Sequence, residues 1–208
     1  MIKTISQSEK HFVLKTLMPK YLESVSSRPS FLVRILALFR LYPAKTSYII
    51  MENTVQDSSQ AVVFDIKGSK VNRIVSESFD YSNPPYGSLL KDLNLIASQY
   101  KLELTPELKE SLLSSVRLDL QLLTSLNSTD YSILLSFYKP PYNPVSQYSI
   151  QGRTQTYSLS IIDYLQSYNL KKRSEKFIKK LYYKNQEFSV ESPAYYSQRL
   201  LKFVEALF

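Results

Sequence analysis

Residues 61–73 read AVVFDIKGSKVNR, an apolar run that ends in a basic segment containing one of only three glycines in the chain. A short apolar run bounded by a turn signal is typical of a buried strand, so Ala61–Ile66 is predicted to be one. Gly68 would let the backbone turn sharply and approach a ligand closely, because it has no Cβ. Lys67 and Arg73 would then present cations to a phosphate. The plainer alternative, which the residues alone favour, is a strand-ending turn with solvated basic side chains.

The patterns before this stretch predict two more strands. His11–Leu17 (HFVLKTL) is predicted to be a strand with Lys15 on its opposite face. Ser47–Met51 (SYIIM) is predicted to be a buried strand that ends in polar residues. Phe31–Leu41 fits either a helix or a strand by its period, and both alternatives stay open.

The patterns after this stretch predict a long helix, a hairpin and a closing helix. Thr105 followed by proline supplies a capping hydroxyl and a proline at the first helical position. Gln147–Ile150 and Thr156–Ile162 resemble a hairpin around Gly152. Ser192, again followed by proline, predicts the start of the last helix. The long helix carries an apolar stripe of Leu108, Leu112, Val116, Leu120 and Leu123.

The composition of the chain limits the class of protein. Its 208 residues are 44% hydrophobic and 13% aromatic, which predicts a soluble globular protein with one core or two interdependent lobes. No apolar stretch approaches the roughly 20 residues needed to cross a bilayer. The first residues, MIKTISQSEKHF, lack the apolar segment of a secretory signal. We therefore expect a cytoplasmic protein.

The side-chain inventory narrows the chemistry further. The chain has no cysteine and one histidine, which excludes a disulfide framework, a thiolate zinc site and a poly-histidine metal centre. Carboxylates remain as metal ligands, and they favour a hard ion such as Mg²⁺. The net charge of +8 implies an anionic partner: nucleic acid, an acidic lipid surface or a phosphorylated small molecule.

Three charged residues have the types that phosphoryl transfer requires. The reaction needs a cation on the nucleotide phosphates, a carboxylate near the attacking hydroxyl and a carboxylate that holds Mg²⁺. Lys15, Asp130 and Asp163 follow in that order along the chain. A lone aspartate in a loop is more often a cap or turn residue, so these residues alone do not decide the function.

The sequence around these residues is more specific. FVLKT, FDIKGS, LKDLN, LNSTDYSILL, IIDYLQSY and SPAYYSQRL occur in this order from about Phe12 to Phe203. Together they resemble the phosphatidylinositol phosphate kinase family, and most of all its members that act on phosphatidylinositol 4-phosphate. FDIKGS, TDYSIL and IIDYLQ are jointly a strong signal, whereas LKDLN alone is a weak one. The resemblance implies an α+β, two-lobed lipid-kinase fold that is similar to that of protein kinases.

The resemblance also implies a division of the chain. Residues 1–56 would form an N-lobe with an antiparallel sheet, the ATP lysine and the hinge, and residues 57–208 a mixed α/β C-lobe. Family members have a glycine-containing strand pair before the FVLKT segment, whereas the eleven residues before Phe12 contain no glycine. We therefore expect the N-lobe to be truncated. This expectation leaves open an active enzyme and a pseudokinase that binds phosphoinositide membranes.

The resemblance implies site residues by position. Lys15 would contact the phosphates of ATP, Asp130 would be the catalytic-loop aspartate and Asp163 would hold Mg²⁺. Backbone groups of the hinge, Met51, Glu52 and Asn53, would meet adenine. The substrate's phosphate would be bound by Lys67 and Arg73, with Lys91 as a weaker candidate.

One position bears on the choice of lipid. Glu175 lies twelve residues after Asp163, where the family has a residue that resembles a substrate selector. Glutamate there accompanies kinases that act on phosphatidylinositol 4-phosphate at the 5-hydroxyl, and also 3-phosphate 5-kinases; alanine accompanies those that act on the 5-phosphate. The resemblance favours the 4-phosphate, with phosphatidylinositol 4,5-bisphosphate as the product and a 3-phosphate 5-kinase as the alternative.

A basic stretch in the same region suggests how the protein reaches its lipid. Residues 169–183 read NLKKRSEKFIKKLYY, with apolar residues at helical spacing among basic ones. Each basic residue near an anionic leaflet contributes about 1 kcal/mol, so an interfacial helix is one interpretation and a surface helix packed on the core is the other. Its place in the family's activation loop favours the first. The membrane-binding candidates are Lys171, Lys172, Lys176, Lys179 and Lys180.

These inferences favour a phosphoinositide kinase over a nucleic-acid-binding protein, because the chain lacks recognisable nucleic-acid-binding motifs. The expected partners are phosphoinositide lipids in an anionic membrane, and the expected location is cytoplasmic and peripheral, on the plasma membrane. A basic scaffold for other anions is a weaker alternative. A homodimer is left open.

Overall fold

The computed structural model describes residues 1–75, 80, 85–168 and 191–208. The described residues form a three-stranded sheet and a five-stranded sheet, with helices packed against them. The strands are β1 (Ile2–Ile5), β2 (Ile35–Leu41), β3 (Thr46–Met51), β4 (Ala61–Ile66), β5 (Leu89–Lys91), β6 (Ser132–Tyr138), β7 (Ser149–Gln151) and β8 (Thr156–Ile162). The α-helices are α1 (Gln7–Phe12), α2 (Met18–Ser27), α3 (Asp92–Ser98), α4 (Pro106–Ser125) and α5 (Pro193–Glu205).

The first sheet is antiparallel, with β3 between β1 and β2. Its register pairs Ile2 with Ile50, and a bulge interrupts the pairing of β2 with β3 between Ile35 and Ala37. The alternating burial of β3, in which Ile49 and Met51 are fully buried, places one face of this sheet on the core. The segment that could have been helix or strand is thus a strand from Ile35 onward.

The second sheet is mixed, with the order β5-β4-β6-β8-β7. Strands β4 and β5 are parallel, and the other neighbours are antiparallel. Buried side chains of both sheets and of α4 and α5 belong to one hydrophobic cluster, which includes Ile49, Phe64, Leu120 and Leu200. The predicted α+β class, with antiparallel and mixed sheets, is confirmed.

The strand predicted over His11–Leu17 is wrong, because this segment is helical. Helix α1 begins with a capping box between Ser6 and Glu9 and continues through a π-helical turn, Val13–Leu17, into α2. The buried residues Phe12, Val13, Leu17 and Tyr21 share a helical face, whereas Lys15 is exposed. The run HFVLKTL is too short to show by its period alone which structure forms.

The predicted strands β3 and β4, the predicted hairpin and the predicted starts of α4 and α5 are confirmed. Helix α4 begins where predicted, and the Thr105 hydroxyl accepts a hydrogen bond from the Leu108 amide. Four of the five residues in its apolar stripe are buried, and Leu108 is the exception. Strands β7 and β8 form the predicted hairpin. Among the described helices, none combines the length and the apolar character needed to span a bilayer.

A buried carboxylate fixes the connection between α2 and β2. On α4, Asp119 accepts hydrogen bonds from the Phe31 amide (2.7 Å) and the Ser30 hydroxyl (2.9 Å) and forms a 2.8 Å ion pair with Arg28. Burial raises the pKa of Asp119, although its hydrogen bonds and Arg28 oppose the shift. The same connection lies beside β8, because the Ile161 amide donates to the Phe31 carbonyl. The first sheet is thereby held near the end of β8.

Candidate active site

The ends of three neighbouring strands bring the predicted charged residues to one edge of the second sheet. The register pairs Ile66 with Ile133 and Ser132 with Ile162. Lys67 therefore leaves β4 where Asp130 approaches β6, and Asp163 leaves β8 at the same edge. The two aspartates that the sequence placed at the site thus lie at the same end of neighbouring strands.

Both aspartates have a left-handed backbone, with φ of 67° at Asp130 and 60° at Asp163. Such values are uncommon for residues other than glycine and often mark functional sites. Hydrogen bonds between the two loops support this geometry. The Thr129 amide donates to the Gln166 carbonyl (3.2 Å), and the buried Ser128 hydroxyl donates to the Tyr164 carbonyl (3.2 Å). The loops that carry the aspartates are therefore tied to each other.

Lys67 contacts Asp130 directly. Its ammonium lies 2.7 Å from Asp130 Oδ1 and 2.9 Å from the carbonyl oxygen of the same residue. The two side chains are 17% and 29% exposed, so the pair is partly shielded and still reachable from solvent. Lys67 was predicted to contact the substrate's phosphate. In the structure, its ammonium also orients the candidate catalytic carboxylate.

Lys3 is the lysine that contacts Asp163. It lies on β1, and its ammonium is 2.8 Å from Asp163 Oδ1. The sequence analysis assigned the contact with ATP phosphates to Lys15, which lies instead in the π-helical turn. Its side chain is exposed and forms no hydrogen bond or ion pair with another described residue. The sequence contained a signal for Lys3, because two apolar residues precede Lys-Thr both in MIKT and in VLKT. Only the first of these segments is a strand.

The loop after β4 is organised by Asp92, a fully buried carboxylate at the start of α3. Asp92 accepts hydrogen bonds from the Lys67 amide (3.0 Å), the Ser69 amide (3.2 Å) and Arg73 Nε (2.6 Å). The sequence analysis found both Lys91 and Asp92 in the LKDLN segment, but it listed only Lys91 as a candidate and gave Asp92 no role. The signal that was missed is an aspartate directly after a strand, where its carboxylate can accept main-chain hydrogen bonds.

Arg73 was predicted to bind the substrate's phosphate, but in the structure it binds two carboxylates of the protein. It is 8% exposed, and its guanidinium donates to Asp92, to the Asp65 carbonyl and to the Asp65 carboxylate (3.2 Å). Burial lowers the pKa of Arg73, but the two carboxylates outweigh this effect and raise it overall. The arginine therefore stabilises the loop after β4 from the protein interior. Because arginine binds carboxylates as well as phosphates, the residue type alone does not show which of the two Arg73 binds.

Gly68 makes the predicted turn, with a φ of 65°. At this turn the backbone closely approaches helix α5. A Cβ at this position would lie 3.2 Å from Leu200 Cα and 3.3 Å from the Arg199 carbonyl oxygen. The absence of a side chain thus allows the Lys67 loop to rest on the backbone of α5.

Comparison with known proteins assigns the chain to a family. A family model described as phosphatidylinositol-4-phosphate 5-kinase matches residues 1–155 and 139–207. The chain belongs to this family. Human phosphatidylinositol 4-phosphate 5-kinase-like protein 1 is 28% identical over 99% of the chain and 61% of its own length. Human phosphatidylinositol 4-phosphate 5-kinase type-1 beta is 25% identical over 99% of the chain and 48% of its own length.

The name of a third relative gives a different substrate. A putative 1-phosphatidylinositol 3-phosphate 5-kinase of Drosophila melanogaster is 28% identical over 91% of the chain and 10% of its own length. The chain thus spans less than two thirds of the length of each of these three relatives. Membership of the phosphatidylinositol-4-phosphate 5-kinase family establishes the chain as a relative of phosphoinositide kinases, which use ATP.

The hinge predicted for this family member offers few backbone groups to a nucleotide. The amide and carbonyl of Met51 bond to the carbonyl and amine of Met1, and the Glu52 amide donates to the Arg34 carbonyl. The Glu52 carboxylate accepts hydrogen bonds from Gln147 (2.8 Å) and from the Tyr148 hydroxyl (3.2 Å). Asn53 is exposed, and its backbone bonds to no other described residue.

The remaining predicted residues fall into two groups. Lys91 ends β5 opposite Asp65 and is half-buried, so it lies at the same sheet edge as the other candidates. The second group lies outside the described residues. It consists of Glu175 and the membrane-binding candidates Lys171, Lys172, Lys176, Lys179 and Lys180.

The described part of the chain contains no group of three or more side chains that could hold a metal ion together. Asp163 is the carboxylate to which the Mg²⁺ role was assigned, and its side chain is 41% exposed. This donor set fits Mg²⁺, which is commonly held by one or two carboxylates together with phosphates and water. It does not fit an ion that needs a cage of protein ligands.

Proposed function

We propose that this chain transfers the γ-phosphoryl group of ATP to the 5-hydroxyl of phosphatidylinositol 4-phosphate, giving phosphatidylinositol 4,5-bisphosphate. The observation that carries the proposal is the meeting of Lys67, Asp130 and Asp163 at one sheet edge, with Lys3 reaching it from the other sheet. Phosphoryl transfer depends almost entirely on such positioning and on electrostatic stabilisation. The family supports a phosphoinositide as substrate.

Lys3 and Asp163 would act on the nucleotide side. The ammonium of Lys3 now contacts Asp163, and both side chains are more than one third exposed. When ATP binds, Lys3 would move to the phosphates and Asp163 would hold Mg²⁺, which neutralises charge on the β- and γ-oxygens. The exposed backbone of Asn53 would contact adenine.

Asp130 and Lys67 would act on the lipid side. A carboxylate that accepts the proton of the attacking hydroxyl must lie within hydrogen-bond reach of it. Lys67 holds the Asp130 carboxylate in place, where it would accept the proton of the lipid's 5-hydroxyl. As a partly exposed cation at the same point, Lys67 would also lie near the phosphate of the lipid. Lys91 would add a second cation at this edge.

The membrane and the choice of lipid depend on residues outside the described part of the chain. Under this proposal, Lys171, Lys172, Lys176, Lys179 and Lys180 bind the anionic leaflet, with the plasma membrane as the expected site. Glu175 selects the 4-phosphate. A second candidate is phosphorylation of phosphatidylinositol 3-phosphate at the 5-hydroxyl, which the Drosophila relative's name favours.

A liposome assay with radiolabelled ATP tests the proposal. Vesicles would carry one phosphatidylinositol monophosphate at a time, and the wild type would be compared with Asp163→Asn. We expect labelled bisphosphate from the 4-phosphate vesicles, lost in Asp163→Asn and retained in the control Glu110→Gln, which changes an exposed carboxylate on α4. Label from the 3-phosphate vesicles alone would support the second candidate. Vesicle sedimentation without labelled product from any lipid would indicate a binding protein and contradict both.

A further inference from the structure

Helix α5 contacts both loops that present the candidate catalytic pair. The Tyr196 hydroxyl donates to the carbonyl of Tyr131, the residue after Asp130. The Nη2 group of Arg199 donates to the carbonyl of Lys67 at 3.1 Å. Both acceptors are main-chain oxygens within one residue of the Lys67–Asp130 ion pair. These contacts join α5 to sheet segments that are far from it along the chain.

The two side chains reinforce each other. Tyr196 is fully buried, and Arg199 is 7% exposed. The Arg199 guanidinium lies 5.1 Å from the centre of the Tyr196 ring, and the Tyr196 and Tyr131 rings meet edge to face with centroids 4.9 Å apart. Each side chain is therefore held in one orientation by packing as well as by its hydrogen bond.

Helix α5 is also fixed to the core along its length and at its C-terminal end. Its buried stripe of Tyr196, Leu200 and Val204 has helical spacing. The Leu102 amide donates to the Leu207 carbonyl at 2.8 Å, just beyond the end of the helix. The close approach of Gly68 to Leu200 adds a steric stop against the Lys67 loop. The helix thus connects a rigid anchor with two loops whose positions matter for the reaction.

We propose that α5 acts as a clamp in which Tyr196 and Arg199 are positioning residues for the Lys67–Asp130 pair. This inference rests on the proposed kinase function, since it assigns these residues a role in the same reaction. Neither residue touches the reacting atoms. Each acts through a carbonyl next to the pair, so that Lys67 and Asp130 keep the mutual distance that a bound lipid hydroxyl requires. A displacement of about 1 Å in such a group can lower turnover by about 100-fold.

Conservative substitutions test the clamp. Tyr196→Phe removes the hydroxyl and keeps the ring, while Tyr195→Phe changes the exposed neighbouring tyrosine and is the matched control. For the full chain on 4-phosphate vesicles, we expect Tyr196→Phe to lower kcat about tenfold, with KM for ATP within about twofold of the wild type. We expect Arg199→Ala to lower kcat and Arg199→Lys to restore part of it. A kcat in Tyr196→Phe equal to that in Tyr195→Phe would overturn the proposal.

Hydrogen–deuterium exchange separates failure of the clamp from failure of the kinase function. We expect faster amide exchange over residues 67–69 and 130–132 in Tyr196→Phe and Arg199→Ala, with unchanged exchange over β7. If the wild type transfers no phosphate, the proposed function fails, and the exchange data still decide whether α5 holds the two loops. Unchanged exchange at both loops in both variants would overturn the clamp. Equal acceleration over the whole chain, β7 included, would also overturn it, because it indicates general destabilisation.

Discussion

Lys3 and Asp163 form a 2.8 Å ion pair although they lie 160 positions apart along the chain. The two side chains are 37% and 41% exposed, so the pair contributes at most about 1 kcal/mol to stability. The pair can therefore open at little cost when a nucleotide binds. The pair matters because it places the Lys3 ammonium at the candidate site, and not because it stabilises the fold.

Replacing Lys3 should affect turnover far more than replacing Lys15. Lys3→Met removes the cation that we place on the nucleotide phosphates, and we expect kcat/KM for ATP to fall by about 100-fold or more. Lys15→Met changes an exposed helical residue and is the matched control, with activity close to the wild type. Steady-state phosphorylation of lipid vesicles measures both. A larger loss in Lys15→Met would restore the assignment made from the sequence.

Asp92 should be important for stability because it compensates a buried cation. Asp92→Asn removes one of the two negative charges that compensate Arg73 and leaves Asp65 as its ionic partner, so we expect the free energy of unfolding to fall by about 3 kcal/mol. The control is Glu205→Gln, which breaks the exposed 3.4 Å pair with Arg117 and should cost less than about 1 kcal/mol. Urea unfolding measures both changes. Equal losses in the two variants would show that burial of the Asp92 pair has no special effect.

Gly68 and Gly87 separate the effect of backbone conformation from that of close packing. Both have positive φ, 65° and 85°, but a Cβ at Gly87 would meet no atom within 4 Å. We expect Gly87→Ala to lower the free energy of unfolding by about 1–2 kcal/mol through backbone strain alone. Gly68→Ala should lower it further and also reduce turnover, because the Lys67 loop must move away from Leu200. Thermal unfolding and the vesicle assay test this; equal effects of the two changes would contradict it.

Asp119 should make stability depend on pH. Burial raises the pKa of Asp119 above its value in the unfolded chain, which is about 3.9. Its favourable contribution is therefore complete below the unfolded pKa and is lost as the pH rises through the raised folded pKa. We expect Asp119→Asn to remove this part of the pH dependence, as measured by urea unfolding at pH values from about 4 to 7. Glu110→Gln is the control, and parallel pH profiles for wild type and Asp119→Asn would contradict the prediction.

Much of the local structure could be predicted because its signals lie within a few residues of one another. The start of α4 at Thr105 depends on a cap and a proline, and the β7–β8 hairpin on two apolar runs around a glycine. The run from His11 to Leu17 was misassigned because its period fits two structures, and the helical one buries Phe12, Val13 and Leu17 on a common face.

The candidate site could be predicted only in part. Asp130 and Asp163 were found from the segments around them, and the register of β6 and β8 then explains why they share an edge. The roles of Lys3 and Asp92 were missed, because the local signal near each residue does not indicate which distant partner it meets. Arg73 was predicted to bind the substrate's phosphate, but its guanidinium is bound to Asp92, which lies 19 positions away.

The family and the starts of α4 and α5 could be recognised from the sequence, because each depends on residues that are neighbours along the chain. The folded structure was needed to show which lysine reaches Asp163, which cation is buried and which helix contacts the Lys67 loop. The physical reason is that ion pairs and close backbone contacts depend on sheet register and packing. Those bring together residues whose separation along the chain carries no periodic signal.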